Sequence, residues 1–319
     1  MARSGIDVLV IGAGVSGITT ALRLAERGHR VRIRARELPH ESTSCAAGAL
    51  WGPVVAEHER VTEWSTETLE AFRALAAHPE TGVRLVRGLE ASHTGMAPPV
   101  WLRDLPDLTV VHPAELPAGY LSGWRYTAPI VDMPIYLTYL VMRAKDAGVQ
   151  IEQGEAGPLA ALPAGYTAVV NCSGADAREL VPDPDVVPVR GQLVVVENPG
   201  IHEFFADAED AAEMTYFLPH GERMVLGSTA HATRTDRAWD PALAERIVAR
   251  CAAVRPELAG VRVLEHRVGF RPTRSRVRVE REEIDGGHLV HNYGHGGGGV
   301  SLSWGCASAA ADLVEAPRS

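Results

Sequence analysis

Residues 7–28, DVLVIGAGVSGITTALRLAERG, constrain the chain most tightly, because they read without interruption as strand, turn and helix. Residues 8–11 form an unbroken apolar run, suited to a parallel strand covered on both faces. The turn Gly12-Ala13-Gly14-Val15-Ser16-Gly17 follows at once. Its first glycine permits the tight turn, the second lets a pyrophosphate approach the backbone, and the third lets the helix pack closely on the strand. Phosphates then meet the free N–H groups of the helix N-terminus. Val15, Ile18, Leu22 and Ala25 recur at helical spacing, and Gly28 stands where a left-handed cap ends a helix. A second strand over residues 29–35 runs into Arg36-Glu37. Glu37 lies about 20 residues past the last glycine, where a carboxylate accepts a ribose hydroxyl. The whole unit predicts a bound dinucleotide, without separating FAD from NAD(P).

With 319 residues the chain exceeds one compact core, so two domains sharing an interface are expected. A hydrophobic content of 46% beside 22% charged residues describes a globular protein, and the formal net charge of −9 argues against nucleic acid or an anionic membrane as partner. Residues 1–7 enter the first strand without an apolar leader, and nowhere do about 18 apolar residues run together, which predicts a cytoplasmic protein. Cys45, Cys172, Cys251 and Cys306 are scattered with no CxxC, so reduced thiols are expected rather than a zinc site or a disulfide framework.

Residues 38–53 are small and hydroxyl-rich and end in glycines, Trp51 and Pro53, a composition suited to backbone lying against a ligand. Ser42, Thr43 and Ser44 are candidates to donate to pyrophosphate oxygens, or equally to cap a helix. Helices are predicted over 61–77, 134–147 and 241–254, and strands over 83–90, 149–153, 166–174, 191–197 and 223–228. Residues 98–123 read as irregular connecting structure, and the prolines of 182–188 mark a domain crossing. The strand over 166–174 returns the chain to the nucleotide-binding sheet.

In the C-terminal quarter, residues 267–282 alternate arginines with smaller residues, which predicts a strand with Arg274, Arg276 and Arg278 on one mostly solvated face. Arg271 differs, because Pro272 holds it extended and it follows the permissive Gly269. It is a candidate for a buried, anion-binding arginine. Residues 294–299 then contain five glycines, whose entropic cost is understandable if a flat ligand touches the main chain. The helix that follows would favour negative charge at its N-terminus.

Together these stretches resemble the D-amino-acid oxidase family from the first strand to the last helix. The resemblance rests above all on Leu289-Val290-His291-Asn292-Tyr293-Gly294-x-Gly296-Gly297-x-Gly299 followed by Gly305-x-Ala307. It rests also on Ala46-Ala47-Gly48 with Leu50-Trp51-x-Pro53, on Asn171-Cys172-Ser173-Gly174, on Gly191-Gln192, and on Gly269-Phe270-Arg271-Pro272. It implies an α/β protein with a Rossmann-like FAD-binding domain (residues 1–53, 134–188 and 263–319) and a substrate domain on a large antiparallel or mixed sheet (54–133 and 189–262). It implies non-covalent FAD held by the 12–17 turn, by Arg36 or Glu37, and by Ser42, Thr43, Ser44, Ala47, Gly48, Ala49 and Leu50. Ala156, Ser173, Gly174, Arg271, His295, Gly296, Gly297, Gly298, Gly299, Val300 and Ser301 complete that set.

For the chemistry, the resemblance implies that Arg271 pairs bidentately with a substrate carboxylate, a geometry lysine cannot supply. Tyr216 would bond the same carboxylate, and the Gly297 carbonyl would accept from the substrate amino group. The implied reaction is oxidation of a D-amino acid to a 2-oxo acid, ammonia and hydrogen peroxide, with hydride passing from Cα to flavin N5 and O2 as acceptor. Two alternatives stay open, a glycine or sarcosine oxidase and an NAD(P)-dependent dehydrogenase. The chain departs from eukaryotic members at Ala212 and Gly52, where they carry tyrosine and glutamine, so a roomier pocket is expected, shaped by how residues 201–215 fold. A neutral, apolar substrate side chain is expected because no second substrate-facing cation can be placed; Arg274, Arg223 and His220 are the candidates against this. A homodimer is the expectation for an enzyme of this size.

Overall fold

The computed structural model describes residues 5–53, 56–208 and 212–317. In chain order the elements are β1 (Asp7–Ile11), α1 (Val15–Glu26), β2 (Arg30–Ala35), α2 (Val61–Leu75), β3 (Val83–Ser92), β4 (Thr109–Val110), β5 (Ser122–Val131), α3 (Met133–Asp146), β6 (Gln150–Gln153), β7 (Ala168–Asn171), α4 (Ala177–Leu180), β8 (Val187–Glu197), β9 (Phe204–Asp207), β10 (Glu213–His220), β11 (Arg223–Thr229), α5 (Pro241–Val254), β12 (Val263–Ile284), β13 (Gly287–His295) and α6 (Ser303–Glu315). Short 3-10 turns join them, two of them within the irregular 98–123 stretch. The predicted helices form as α2, α3 and α5. The last starts on Asp240, whose carboxylate accepts from the Ala242 and Leu243 N–H groups, with Pro241 in the first turn.

One mixed sheet of 13 strands runs through the described residues in the order β4-β5-β3-β9-β10-β11-β8-β12-β13-β7-β1-β2-β6. β13, β7, β1, β2 and β6 pair in parallel. The buried, β-branched run of β1 explains its central place, since such strands are stable only with both faces covered. On the other side, β8, β10, β11 and β12 pair antiparallel.

β12 joins the two halves: residues 263–273 pair with β8 and residues 278–284 with β13. The segments assigned to separate domains therefore share one sheet, and α2, from the 54–133 segment, packs on α6, where the Trp304 and Gly305 N–H groups donate to Thr68 Oγ1.

The expectation of a solvated arginine face on β12 is corrected. Register shifts between Thr273 and Arg278, and only Arg276 is open to solvent. Arg274 and Arg278, 18% and 14% exposed, converge on the buried Asp183 at 3.0 and 3.8 Å. Tyr293 Oη donates to the same carboxylate at 2.7 Å. Alternation fixes which residues share a face of a strand, but what covers that face is decided by distant chain, here the crossing at 182–188.

Candidate active site

The turn after β1 has the geometry its glycines predict. Gly12 has φ +104°, and a Cβ on Gly17 would lie 1.9 Å from the Gly12 carbonyl oxygen, so α1 can approach β1 only with glycine there. No side chain of its own caps α1; instead Val15 N–H donates to Ser44 Oγ at 3.0 Å, which brings residues 42–44 to the helix N-terminus. Of the three hydroxyls in that segment, only Ser44 takes this position. Thr43 Oγ1 accepts from Phe270 N–H at 3.1 Å, and Ser42 Oγ donates to Pro39 O at 2.6 Å. Ala47 to Leu50 then run beside β5: Val131 N–H donates to Ala49 O at 3.0 Å, and Ala49 is held at φ +61°.

Just past β2, Arg36 turns to Asp176 at 2.9 Å and Glu37 to Arg237 at 2.8 Å. Gly174 has φ +61°, and Ser173 bonds to Asn171 Oδ1 through its hydroxyl and its N–H. Ala156 packs in the apolar cluster that includes Leu9, Ile11 and Val169.

The C-terminal glycine turn is fastened to the same cradle. Asn292 Nδ2 donates to Thr20 Oγ1 at 2.9 Å, His295 Nε2 and Asn292 Oδ1 are 3.1 Å apart, and Thr19 Oγ1 donates to Ser303 O at 3.1 Å. Burial pushes the His295 imidazole down to about 4, so the ring is neutral. Its side chain supports the turn from within. Gly296 N–H donates to Pro272 O at 2.9 Å, which sets the turn beside Arg271, and Gly297 is exposed at its apex. Val300 is buried, and Ser301 Oγ accepts from Gly52 N–H at 3.1 Å, linking the turn to the segment that ends at Pro53. The glycine-lined N-terminus of α1, where Gly14 supplies no capping side chain, and a main chain stripped of side chains at residues 296–299 fit a pyrophosphate and a flat ring, so the residues present suit FAD.

Facing this cradle, the antiparallel half of the sheet places Arg271 and Tyr216 together. Tyr216 pairs directly with Gly227 across β10 and β11, and its ring lies over that glycine, where a Cβ would come within 1.8 Å. The Arg271 guanidinium likewise covers Gly191, 2.5 Å from where a Cβ would stand. The Tyr216 hydroxyl also lies 2.6 Å from the position of a Cβ on Gly48, so cofactor segment and substrate face meet there. Arg271 Nη1 donates to Thr229 O at 2.8 Å and Nη2 to Ser228 Oγ at 3.0 Å. Ser228 also bonds the Tyr216 hydroxyl.

Burial lowers the pKa of Arg271, but an arginine stays charged. Among the described residues no carboxylate forms an ion pair with it. A desolvated cation held by neutral acceptors is a seat for an anion. Burial raises the Tyr216 hydroxyl, against the pull of Arg271, so it remains a protonated donor. Sequence reading missed Ser228 and Thr229, because only the β11–β8–β12 register brings them to Arg271.

The other cations are engaged elsewhere. Arg274 is on Asp183 and Arg223 on Asp132 at 2.8 Å. His220 is pushed down to about 4 by burial, with Arg267, Arg223 and Arg84 adding to the effect against Asp132. Ala212 is exposed and its carbonyl accepts from Ala230 N–H, whereas residues 209–211 of the segment expected over the pocket lie outside the described residues.

A βαβ dinucleotide cradle beside an antiparallel sheet that carries a desolvated arginine defines a dinucleotide-dependent oxidoreductase. Residues 7–313 match the model of the DAO family, FAD dependent oxidoreductase, and the chain belongs to that family; FAD is its cofactor. The chain is 48% identical to a D-amino-acid oxidase of Rubrobacter xylanophilus over 98% of its length and 96% of that relative's. It is also 48% identical to a D-amino-acid oxidase of Streptomyces coelicolor, over 97% and 96%. Its fold is similar to that of glycine oxidase from Geobacillus kaustophilus, with a TM-score of 0.85 at 21% identity, covering 98% of this chain and 95% of that one.

Proposed function

We propose that the protein oxidises D-amino acids to 2-oxo acids, ammonia and hydrogen peroxide, with O2 as the electron acceptor. The observation that carries this reading is the largely desolvated Arg271 guanidinium, left without a carboxylate among the described residues and flanked by the Tyr216 hydroxyl. The substrate carboxylate accepts two parallel bonds from N–H groups of that guanidinium that Thr229 and Ser228 leave free, and Tyr216 donates a further bond. The Gly297 carbonyl accepts from the substrate amino group. These contacts orient Cα towards the flavin face, and Ser228 with the Thr229 carbonyl keeps the guanidinium from rotating. FAD, when bound, supplies the acceptor for the Cα hydride. No side-chain base is assigned to Cα, so the chain contributes position, charge and exclusion of water.

The relatives at 48% identity carry the name D-amino-acid oxidase, which favours this reading over the glycine oxidase that the fold alone resembles. With Arg223 and Arg274 engaged elsewhere and His220 kept neutral by burial, the preferred side chain is neutral and apolar. The two-domain division at residues 53, 133, 188 and 262, a homodimer and a cytoplasmic location belong to the same proposal. The last is supported by four free cysteines.

The deciding experiment measures peroxide release by the yellow protein over a panel of D- and L-amino acids, glycine and sarcosine. Turnover of apolar D-isomers is expected. Activity confined to L-isomers, glycine or sarcosine would overturn the assignment.

A further inference from the structure

We propose that Arg237 is a positioning residue for the adenosine end of FAD, delivered by the loop 230–240 from the substrate half of the molecule. This rests on the reading of Glu37 as the ribose acceptor. The loop is anchored to β8 by two buried side chains: Arg190 donates to the carbonyls of Asp236 and Ala238, and Gln192 exchanges two bonds with the main chain of Asp240, at 2.9 and 2.8 Å. Arg234 cross-links it through Asp236 and Asp240, and Trp239 stacks on His266 with the rings parallel, 4.0 Å apart.

From this braced loop Arg237 reaches the segment that follows β2. Its Nη2 meets Glu37 Oε1 at 2.8 Å, its Nη1 approaches Glu41 O at 3.4 Å, and its guanidinium lies over Phe270, next to Arg271, at 5.7 Å.

The bond takes one oxygen of Glu37 and leaves the other to accept a ribose hydroxyl. It also fixes the carboxylate, which otherwise stands as an unneutralised negative charge near a dianionic pyrophosphate. Arg36 offsets that charge only in part, because Asp176 is its main partner and Glu37 a lesser one. An isolated surface ion pair contributes little, but this one joins chain 200 residues apart at the place where the cofactor must be held.

The test is FAD release from the holoenzyme on dilution, followed by flavin fluorescence. Arg237→Ala should weaken FAD binding about 5- to 20-fold, with a smaller effect at high salt. Arg237→Lys should recover part of the loss. In a Glu37→Gln background, Arg237→Ala should add less than about twofold, because the carboxylate it positions is gone. An Arg237→Ala protein that holds FAD as tightly as the parent, or more tightly, overturns the proposal. So does an equal loss in both backgrounds. Because release is read without substrate, absence of D-amino-acid turnover in the parent would remove the substrate assignment while leaving this result to stand.

Discussion

Replacing Arg271 by alanine separates the anion-binding role from a packing role. In the parent, the guanidinium is desolvated, covers Gly191, and among the described residues is bonded only to the Thr229 carbonyl and the Ser228 hydroxyl. Removing it strips the substrate carboxylate of a two-toothed, charge-assisted contact in a partly buried site. That costs on the order of 3 to 5 kcal/mol, which is roughly 150- to 5000-fold in kcat/KM. The folded protein has less at stake. The carbonyl and hydroxyl left behind cost about 1 to 3 kcal/mol, offset by relief of an unpaired buried cation. The variant should therefore stay yellow and melt within a few degrees of the parent. Arg271→Lys keeps the charge but not the fork, and should lie between the two. Steady-state peroxide assays on an apolar D-amino acid, run beside thermal melts, give both numbers. A well-folded Arg271→Ala enzyme within about fivefold of parental efficiency would refute the reasoning.

Tyr216→Phe removes one neutral donor and should cost about 1 to 2 kcal/mol, or roughly 5- to 30-fold in kcat/KM, a smaller loss than at Arg271; the reverse order in steady-state kinetics would reassign the carboxylate site. Gly191→Ala inserts a methyl 2.5 Å from Arg271 Nη1 and must displace the guanidinium, so it should raise KM at least tenfold while the visible flavin spectrum is retained; a normal KM would show that the guanidinium has room to shift. His220 and His295 both sit at about 4, below the ordinary imidazole value, so between pH 6.5 and 4 the unfolded chain binds protons that the folded one does not. Stability should therefore fall as pH drops through that window, by about 1.4 kcal/mol per pH unit for each ring, and His295→Gln should flatten the slope of urea-melt stability against pH by about one proton; an unchanged slope would place the His295 titration elsewhere.

Much of this protein is determined locally and is legible in its sequence. The nucleotide-binding turn, its helix and the carboxylate after β2 need only glycine's freedom and hydrophobic periodicity, both of which are properties of neighbouring residues. Pro272 next in the chain, with Gly269 two residues before, marked Arg271 as unusual for the same reason.

Tertiary structure decided what surrounds those residues. Arg274 and Arg278 share a strand face with Arg276, yet only the packing of the 182–188 crossing on that strand buries the first two around Asp183. Ser228 and Thr229 reach Arg271, and Arg237 reaches Glu37, through strand register and a braced loop that join positions about 40 and 200 residues apart. Burial and charge compensation depend on the whole path of the chain, so which cation is left unpaired, and can therefore receive an anion, is settled only when the sheet is complete.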